Sequence, residues 1–189
     1  MPDDSDLQPL PPNCWRQIFS NHRLVSVEIG PGRGEFLLAS ARADPQRNFF
    51  AIEHSASRTG EITARLAKSG VENARVICGD AVCLIELLPE ASVAAFHVLF
   101  PDPWWKRRHK KRLLWTPRFA AGVHRALTRG GTVELITDVP DYFELAQRCL
   151  AGAGLEVVTI DHAAEAHTSF ARKAQGRGVG LHRSVHVRP

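Results

Sequence analysis

Apolar positions along the chain fall into two textures that alternate. Short runs rich in Val, Ile, Leu and Phe occupy residues 25–30, 48–53, 74–80, 93–100, 132–137 and 155–160, and most of them close on an acid or a glycine or run straight into one. Runs of that length, bounded by turn residues, predict buried strands. Between them the spacing changes to a helical one, predicting helices over 35–43, 57–69, 82–88, 116–127 and 142–151, with a short helix or turn over 14–21. Ile62 and Leu66 stand four apart with Gly70 as a stop, Pro89 ends the 82–88 segment, and Pro117 takes a first-turn position with Gly130 and Gly131 as the exit. Residues 184–188 alternate as a final strand, expected at a sheet edge. Strands alternating with helices predict an α/β domain with a mostly parallel seven-stranded sheet covered on both faces. No helical pattern is visible between the last two strands, which predicts an antiparallel insertion there and distinguishes this sheet from the dinucleotide-binding kind.

The first strand leads into Glu28-Ile29-Gly30-Pro31-Gly32-Arg33-Gly34 and then directly into a helix. Glycines at a strand-to-helix turn let a ligand approach the backbone. Glu53 lies 19 residues past Gly34 at the end of the second strand, where a carboxylate can accept hydrogen bonds from ribose hydroxyls, and Asp80 ends the third strand facing the same crevice. The dinucleotide fingerprint requires a third glycine where Glu35 stands. Glu28, two residues before the first glycine, would repel a pyrophosphate but suits the sulfonium and ammonium of S-adenosylmethionine. The loop therefore favours a methyl donor over NAD.

Charge adds a second feature. The formal net charge is only +4, yet residues 101–131 hold nine Lys or Arg against the single acid Asp102, and residues 168–189 hold five against none, leaving the remainder at −9. Two basic segments on an acidic body predict a localised polyanion footprint. The first begins with Phe100-Pro101-Asp102-Pro103-Trp104-Trp105 and continues Lys106-Arg107-Arg108-His109-Lys110-Lys111-Arg112. Prolines fix φ on either side of Asp102, and the tryptophans offer stacking faces beside a phosphate-seeking run. An active-site loop for a nucleic-acid substrate follows as the expectation.

Composition narrows the remainder. At 189 residues, 44% hydrophobic and 23% charged, the chain fits one domain with a real core: a flexible leader over 1–13, rich in Pro and Asp, and a single domain over 14–189. No apolar run reaches the roughly 18 residues of a membrane span. Cysteines at 14, 78, 83 and 149 have neither metal-ligand nor disulfide-framework spacing, which fits a reducing cytoplasm. His162, His167, His182 and His186 are too irregular for a metal site, and His97, inside a strand, reads as a packed core histidine.

These motifs together resemble the tRNA (guanine-N7-)-methyltransferase family, the bacterial TrmB type. The resemblance rests on the 27–34 glycine segment, Ile52-Glu53, Gly79-Asp80-Ala81, Phe100-Pro101-Asp102-Pro103-Trp104, Lys106 with the 108–112 run, Thr137-Asp138 and Thr168-Ser169-Phe170. It implies the class I (Rossmann-like) S-adenosylmethionine-dependent methyltransferase fold, with Glu28, Gly30, Gly32, Gly34, Glu53 and Asp80 at the donor. It implies Asp102 as the catalytic residue and Lys106, Asp138 and Thr168 in the substrate site. Arg107, Arg108, Lys110, Lys111 and Arg112 would then bind the phosphates of tRNA, with no membrane or metal involved, in a cytoplasmic monomer or homodimer. One position departs from the pattern: Ala171 stands where the family usually has an acid that can face the guanine Watson–Crick edge. The alternatives are a divergent paralogue with another substrate and a noncatalytic RNA-binding protein that retains the fold.

Overall fold

A computed structural model describes residues 8–102, 113–158 and 180–189. Seven strands and six helices follow in the order α1 (Cys14–Phe19), β1 (Val25–Ile29), α2 (Glu35–Ala43), β2 (Asn48–Glu53), α3 (Ala56–Ser69), β3 (Ala74–Cys78), α4 (Ala81–Leu87), β4 (Val93–Leu99), α5 (Pro117–Ala126), β5 (Leu127–Thr137), α6 (Pro140–Gly152), β6 (Glu156–Val158) and β7 (His182–Val187). They form one sheet in the order β3-β2-β1-β4-β5-β7-β6. Strands β1 to β5 pair in parallel, and β7 runs antiparallel to both β5 and β6.

The two central runs are buried at every position of β1 and β2, as strands covered on both faces must be. One face packs Leu37 and Ala41 of α2 and Ile62 and Leu66 of α3 onto Phe49, Ala51 and Ala74. The opposite face carries the larger core, in which Trp115, Phe119 and Val123 beside α5 and within it, and Tyr142, Ala146 and Leu150 of α6, cover Val27, Phe96, Val98, Val133 and Leu135. Helix starts follow local chemistry. Ser55 accepts from the Arg58 N–H, Asp80 from Val82 and Cys83, and Thr116 from Phe119 with Pro117 behind it.

Two sequence expectations are corrected. Strand β7 is interior rather than at the edge; its two flanks are paired, and three-residue β6 takes the edge instead. Gly130 and Gly131 do not form a helix exit. The chain turns extended at Leu127, directly after α5, and both glycines sit inside an eleven-residue β5. The reason is steric: Gly130 has φ +72°, and a Cβ on Gly131 would lie 2.8 Å from the Thr128 carbonyl and 3.1 Å from that of Ala94. The same pair meets the end of β7, with Gly130 donating to the Arg188 carbonyl and Gly131 accepting from the Arg188 N–H.

Parallel order reverses between β1 and β4. In open α/β sheets ligands bind outside the carboxyl ends of strands at such a point. The glycine loop leaves β1 there, and the Asp102 segment leaves β4.

Candidate active site

The glycine loop owes its path to three left-handed residues in five: Gly30 at φ +67°, Gly32 at +59° and Gly34 at +70°. L side chains resist that region by about 1–2 kcal/mol each. Gly30 donates to the Ile52 carbonyl at 2.9 Å, and Gly34 to that of Pro31 at 2.8 Å, so the loop is folded back on the ends of β1 and β2. A Cβ on Gly30 would meet nothing within 4 Å, which leaves open space over the loop, whereas one on Gly34 would press to 3.0 Å from Ile62.

Glu28 lies beneath this loop, 4% exposed, and its Oε2 has no hydrogen-bond partner. Burial pushes its carboxyl up to about 8; the Leu37 backbone N–H at the start of α2 pulls down and the charge of Glu53 pushes further up. Glu53, also 4% exposed, closes β2 and accepts from the Ser55 N–H at 2.8 Å. Asp80 is exposed after β3; its Oδ1 caps α4 at 2.8 Å from Val82 N, an interaction that leaves a carboxylate further acceptor capacity. An unpartnered buried carboxyl oxygen, an open left-handed glycine cradle and acids at the next two strand ends fit a cationic nucleoside such as S-adenosylmethionine.

Across the reversal point, β4 ends in a strained turn. Phe100 adopts φ +53°, an outlier for a bulky residue, and its N–H donates to the Ile136 carbonyl at 2.7 Å. Such strain persists only where the surroundings over-determine it, and it collects at functional sites. Asp102 follows, exposed. Thr137 at the end of β5 is fully buried and its Oγ1 accepts from the Val139 N–H at 3.2 Å, which sets the turn that leaves Asp138 exposed beside it. The fold thus gathers Glu28, Gly30, Gly32, Gly34, Glu53, Asp80, Asp102 and Asp138 at one end of the sheet. Lys106, Arg107, Arg108, Lys110, Lys111, Arg112, Thr168 and Ala171 lie outside the described residues.

Sequence reasoning did not identify a polar row running across the sheet from Glu28. Register places Glu28 beside His97 on β4 and His97 beside Glu134 on β5. His97 Nδ1 is 3.0 Å from Glu134 Oε2, Arg183 of β7 reaches Glu134 Oε1 at 2.8 Å, and the His97 ring packs on Phe36 with centroids 4.8 Å apart. Burial raises the Glu134 carboxyl, but the hydrogen bond and charge of His97 and then Arg183 outweigh it and hold the group below the usual range. Strand alternation carried a signal for these polar positions; their register was not readable. Among the described residues no group of three His, Cys, Asp or Glu is placed to hold a metal, and no helix is long and apolar enough to cross a membrane.

A seven-stranded sheet of this order, with a glycine loop after β1 and an antiparallel penultimate strand, defines a class I methyltransferase fold. The solved structure of the 16S rRNA methyltransferase KamB is similar to it in fold, with a TM-score of 0.71 over 96% of each chain at 21% identity. Residues 22–178 match the family model described as "Putative methyltransferase". The chain is 33% identical to the tRNA (guanine-N(7)-)-methyltransferase of Rhodopirellula baltica, over 88% of this chain and 66% of that one. It is 38% identical to the enzyme of that name from Nitrosococcus oceani, over 87% of this chain and 71% of that one. The chain belongs to the tRNA (guanine-N(7)-)-methyltransferase family, and it spans about two thirds of the length of these curated relatives.

Proposed function

We propose that this protein transfers a methyl group from S-adenosylmethionine to guanine N7 in tRNA. The observation that carries the reading is the pairing of two features across the β1–β4 reversal: the open glycine cradle by Glu28, whose Oε2 is buried without a partner, and the strained exit of β4 into Asp102. When bound, S-adenosylmethionine supplies an electrophilic methyl on a sulfonium. Glu28, held protonated by burial in the donor-free protein, would give up its proton as the cation settles over the loop and face it as a carboxylate, and Glu53 would accept hydrogen bonds from the ribose hydroxyls. Guanine N7 holds an in-plane lone pair, so no proton has to leave before it attacks. The protein's task is orientation, which supplies several kcal/mol of a barrier of this kind. The base becomes cationic as the methyl moves, and Asp102 stabilises that developing charge. Asp138, with Lys106 and Thr168, holds the base, while Arg107, Arg108, Lys110, Lys111 and Arg112 neutralise phosphates. A tRNA substrate places the reaction in the cytoplasm.

The reading is tested with two transcripts of one tRNA, one made with guanosine and one with 7-deazaguanosine. Transfer of labelled methyl to the first alone supports N7 as the acceptor. Equal transfer to both contradicts it, and RNA binding without transfer to either favours the noncatalytic alternative.

A further inference from the structure

The pairing of β4 with β5 is interrupted shortly before both strands reach the site. Val93 stands opposite Leu127 but Ala95 stands opposite Thr132, so two steps along β4 answer five along β5. Beyond that irregularity the ladder runs evenly from the Ala95–Thr132 pair to the Leu99–Ile136 pair. A slip of one residue there would turn every side chain to the other face. It would also shift Asp102, which follows His97 by five residues, against Asp138, which follows Glu134 by four. Two contacts hold the register after the break. The Phe100 N–H donates to the Ile136 carbonyl at 2.7 Å. Deeper in the sheet, His97 and Glu134 stand directly opposite, with Nδ1 3.0 Å from Oε2. Arg183 of β7 places Nε at 3.0 Å and Nη2 at 2.8 Å from Glu134 Oε1. That guanidinium keeps Glu134 a carboxylate, which can only accept, so the hydrogen it shares with His97 sits on Nδ1.

Resting on the methyltransferase reading above, we propose that His97 is a positioning residue whose Nδ1–H bond to Glu134 locks the register of β4 on β5 and so sets where Asp102 stands relative to Asp138. Three features make the pair suitable. It is directional: a one-residue slip moves a strand by about 3.3 Å, which breaks a 3.0 Å bond, whereas apolar neighbours of similar volume would give as much stability and tolerate the slip. It is shielded: the His97 side chain is 18% exposed and that of Glu134 16%, so water competes weakly for the bond. It is anchored on both sides. Phe36, in the first turn of α2, rests on the His97 ring with centroids 4.8 Å apart, and Arg183 ties Glu134 to β7. The lock therefore runs from the helix that the glycine loop opens, through the strands that lead to Asp102 and Asp138, to the strand beyond them.

Two variants separate the bond from the packing. His97→Phe keeps a ring on Phe36 and removes the Nδ1 donor; His97→Asn discards the ring and returns an N–H close to the position of Nδ1. Hydrogen exchange of the donor-free protein is read at Phe100, whose N–H closes the β4–β5 ladder, against Gly30 and Gly34. Exchange at Phe100 is expected to rise roughly tenfold in His97→Phe, the effect of one lost buried hydrogen bond, and to return most of the way in His97→Asn. The two glycine amides stay within about twofold in both. In methyl transfer, kcat is expected to fall about tenfold in His97→Phe and to recover at least about threefold in His97→Asn, while donor Kd stays within about twofold. A packing role gives the reverse order, with His97→Phe close to wild type and His97→Asn impaired, and that result overturns the lock. Equal loss in both variants overturns it too, as does faster exchange that extends to Gly30 and Gly34. A wild-type protein that transfers no methyl to tRNA refutes the proposed activity, and exchange at Phe100 still decides the lock.

Discussion

Glu28 offers the sharpest test of how the donor site is built. In the folded protein its carboxyl is pushed up to about 8 by burial, against an ordinary 4.5. Between those two values the unfolded chain has released the proton and the folded protein has kept it. Folded stability therefore falls as pH rises from about 4.5 to about 8, with the full cost of the ionised group present above 8. The gap converts to roughly 5 kcal/mol at ~1.4 kcal/mol per pH unit, an upper bound because water and backbone adjust around a newly buried charge. Glu28→Gln keeps the shape and cannot ionise. Urea unfolding of donor-free protein at intervals from pH 4.5 to 8.5 should show the two proteins nearly equal at the acid end. The variant should gain on the wild type steadily until about pH 8. Saturating S-adenosylmethionine should flatten the wild-type slope, since the cation favours the carboxylate, and donor affinity of the wild type should rise by up to about tenfold per pH unit below 8. A stability difference that does not change with pH, or one that shrinks as pH rises, refutes the assignment of Glu28 as a buried acid held ready for a cation.

The remaining expectations concern other parts of the site. Asp102→Ala should reduce transfer at least a hundredfold with donor Kd unchanged by calorimetry, in keeping with loss of a charge that acts only on the developing cation, on the order of 3 kcal/mol. Gly34→Ala should cost about 2 kcal/mol or more in chemical denaturation, because the strain of φ +70° adds to the 3.0 Å approach to Ile62. Gly30→Ala should cost only ~1 kcal/mol of backbone strain, yet weaken donor binding by obstructing the open cradle. Glu134 is held below the usual carboxylate range, so its contribution is present above pH 4.5 and lost as pH falls through its folded value. Glu134→Gln should accordingly unfold with a shallower acid limb than the wild type. Charge reversal at Arg107, Arg108, Lys110 and Lys111 should weaken binding to any RNA and flatten its dependence on salt, measured by filter binding between about 50 and 200 mM salt.

Much of this fold was readable because local patterns and global topology agree. Strand β2 emerges at residues 48–53 and helix α2 at residues 35–43 from spacing alone, since an unbroken apolar run and a glycine-led helix start have few other interpretations. What failed were properties that depend on partners distant in sequence. Whether β7 lies inside the sheet or at its edge depends on β6 pairing outside it, and nothing in residues 182–187 encodes that. Gly130 and Gly131 have the composition of a helix stop, but Gly130 is needed for its φ of +72° and Gly131 for the close approach of the Thr128 and Ala94 carbonyls, the second of them brought up by the sheet. The site divides in the same way. Glycine and acid positions at strand ends announced the donor crevice, while the burial that leaves Glu28 Oε2 without a partner arises only in the folded sheet. His97, Glu134 and Arg183 are separated by 37 and 49 residues and meet only through strand register.

The most direct measurement is methyl transfer from labelled S-adenosylmethionine to total tRNA, followed by digestion and identification of the labelled nucleoside. Label recovered as 7-methylguanosine with wild-type protein, and absent with Asp102→Ala, is the predicted result. Label in any other nucleoside, or no transfer by a wild-type protein that binds the donor, contradicts guanine N7 methylation by this site.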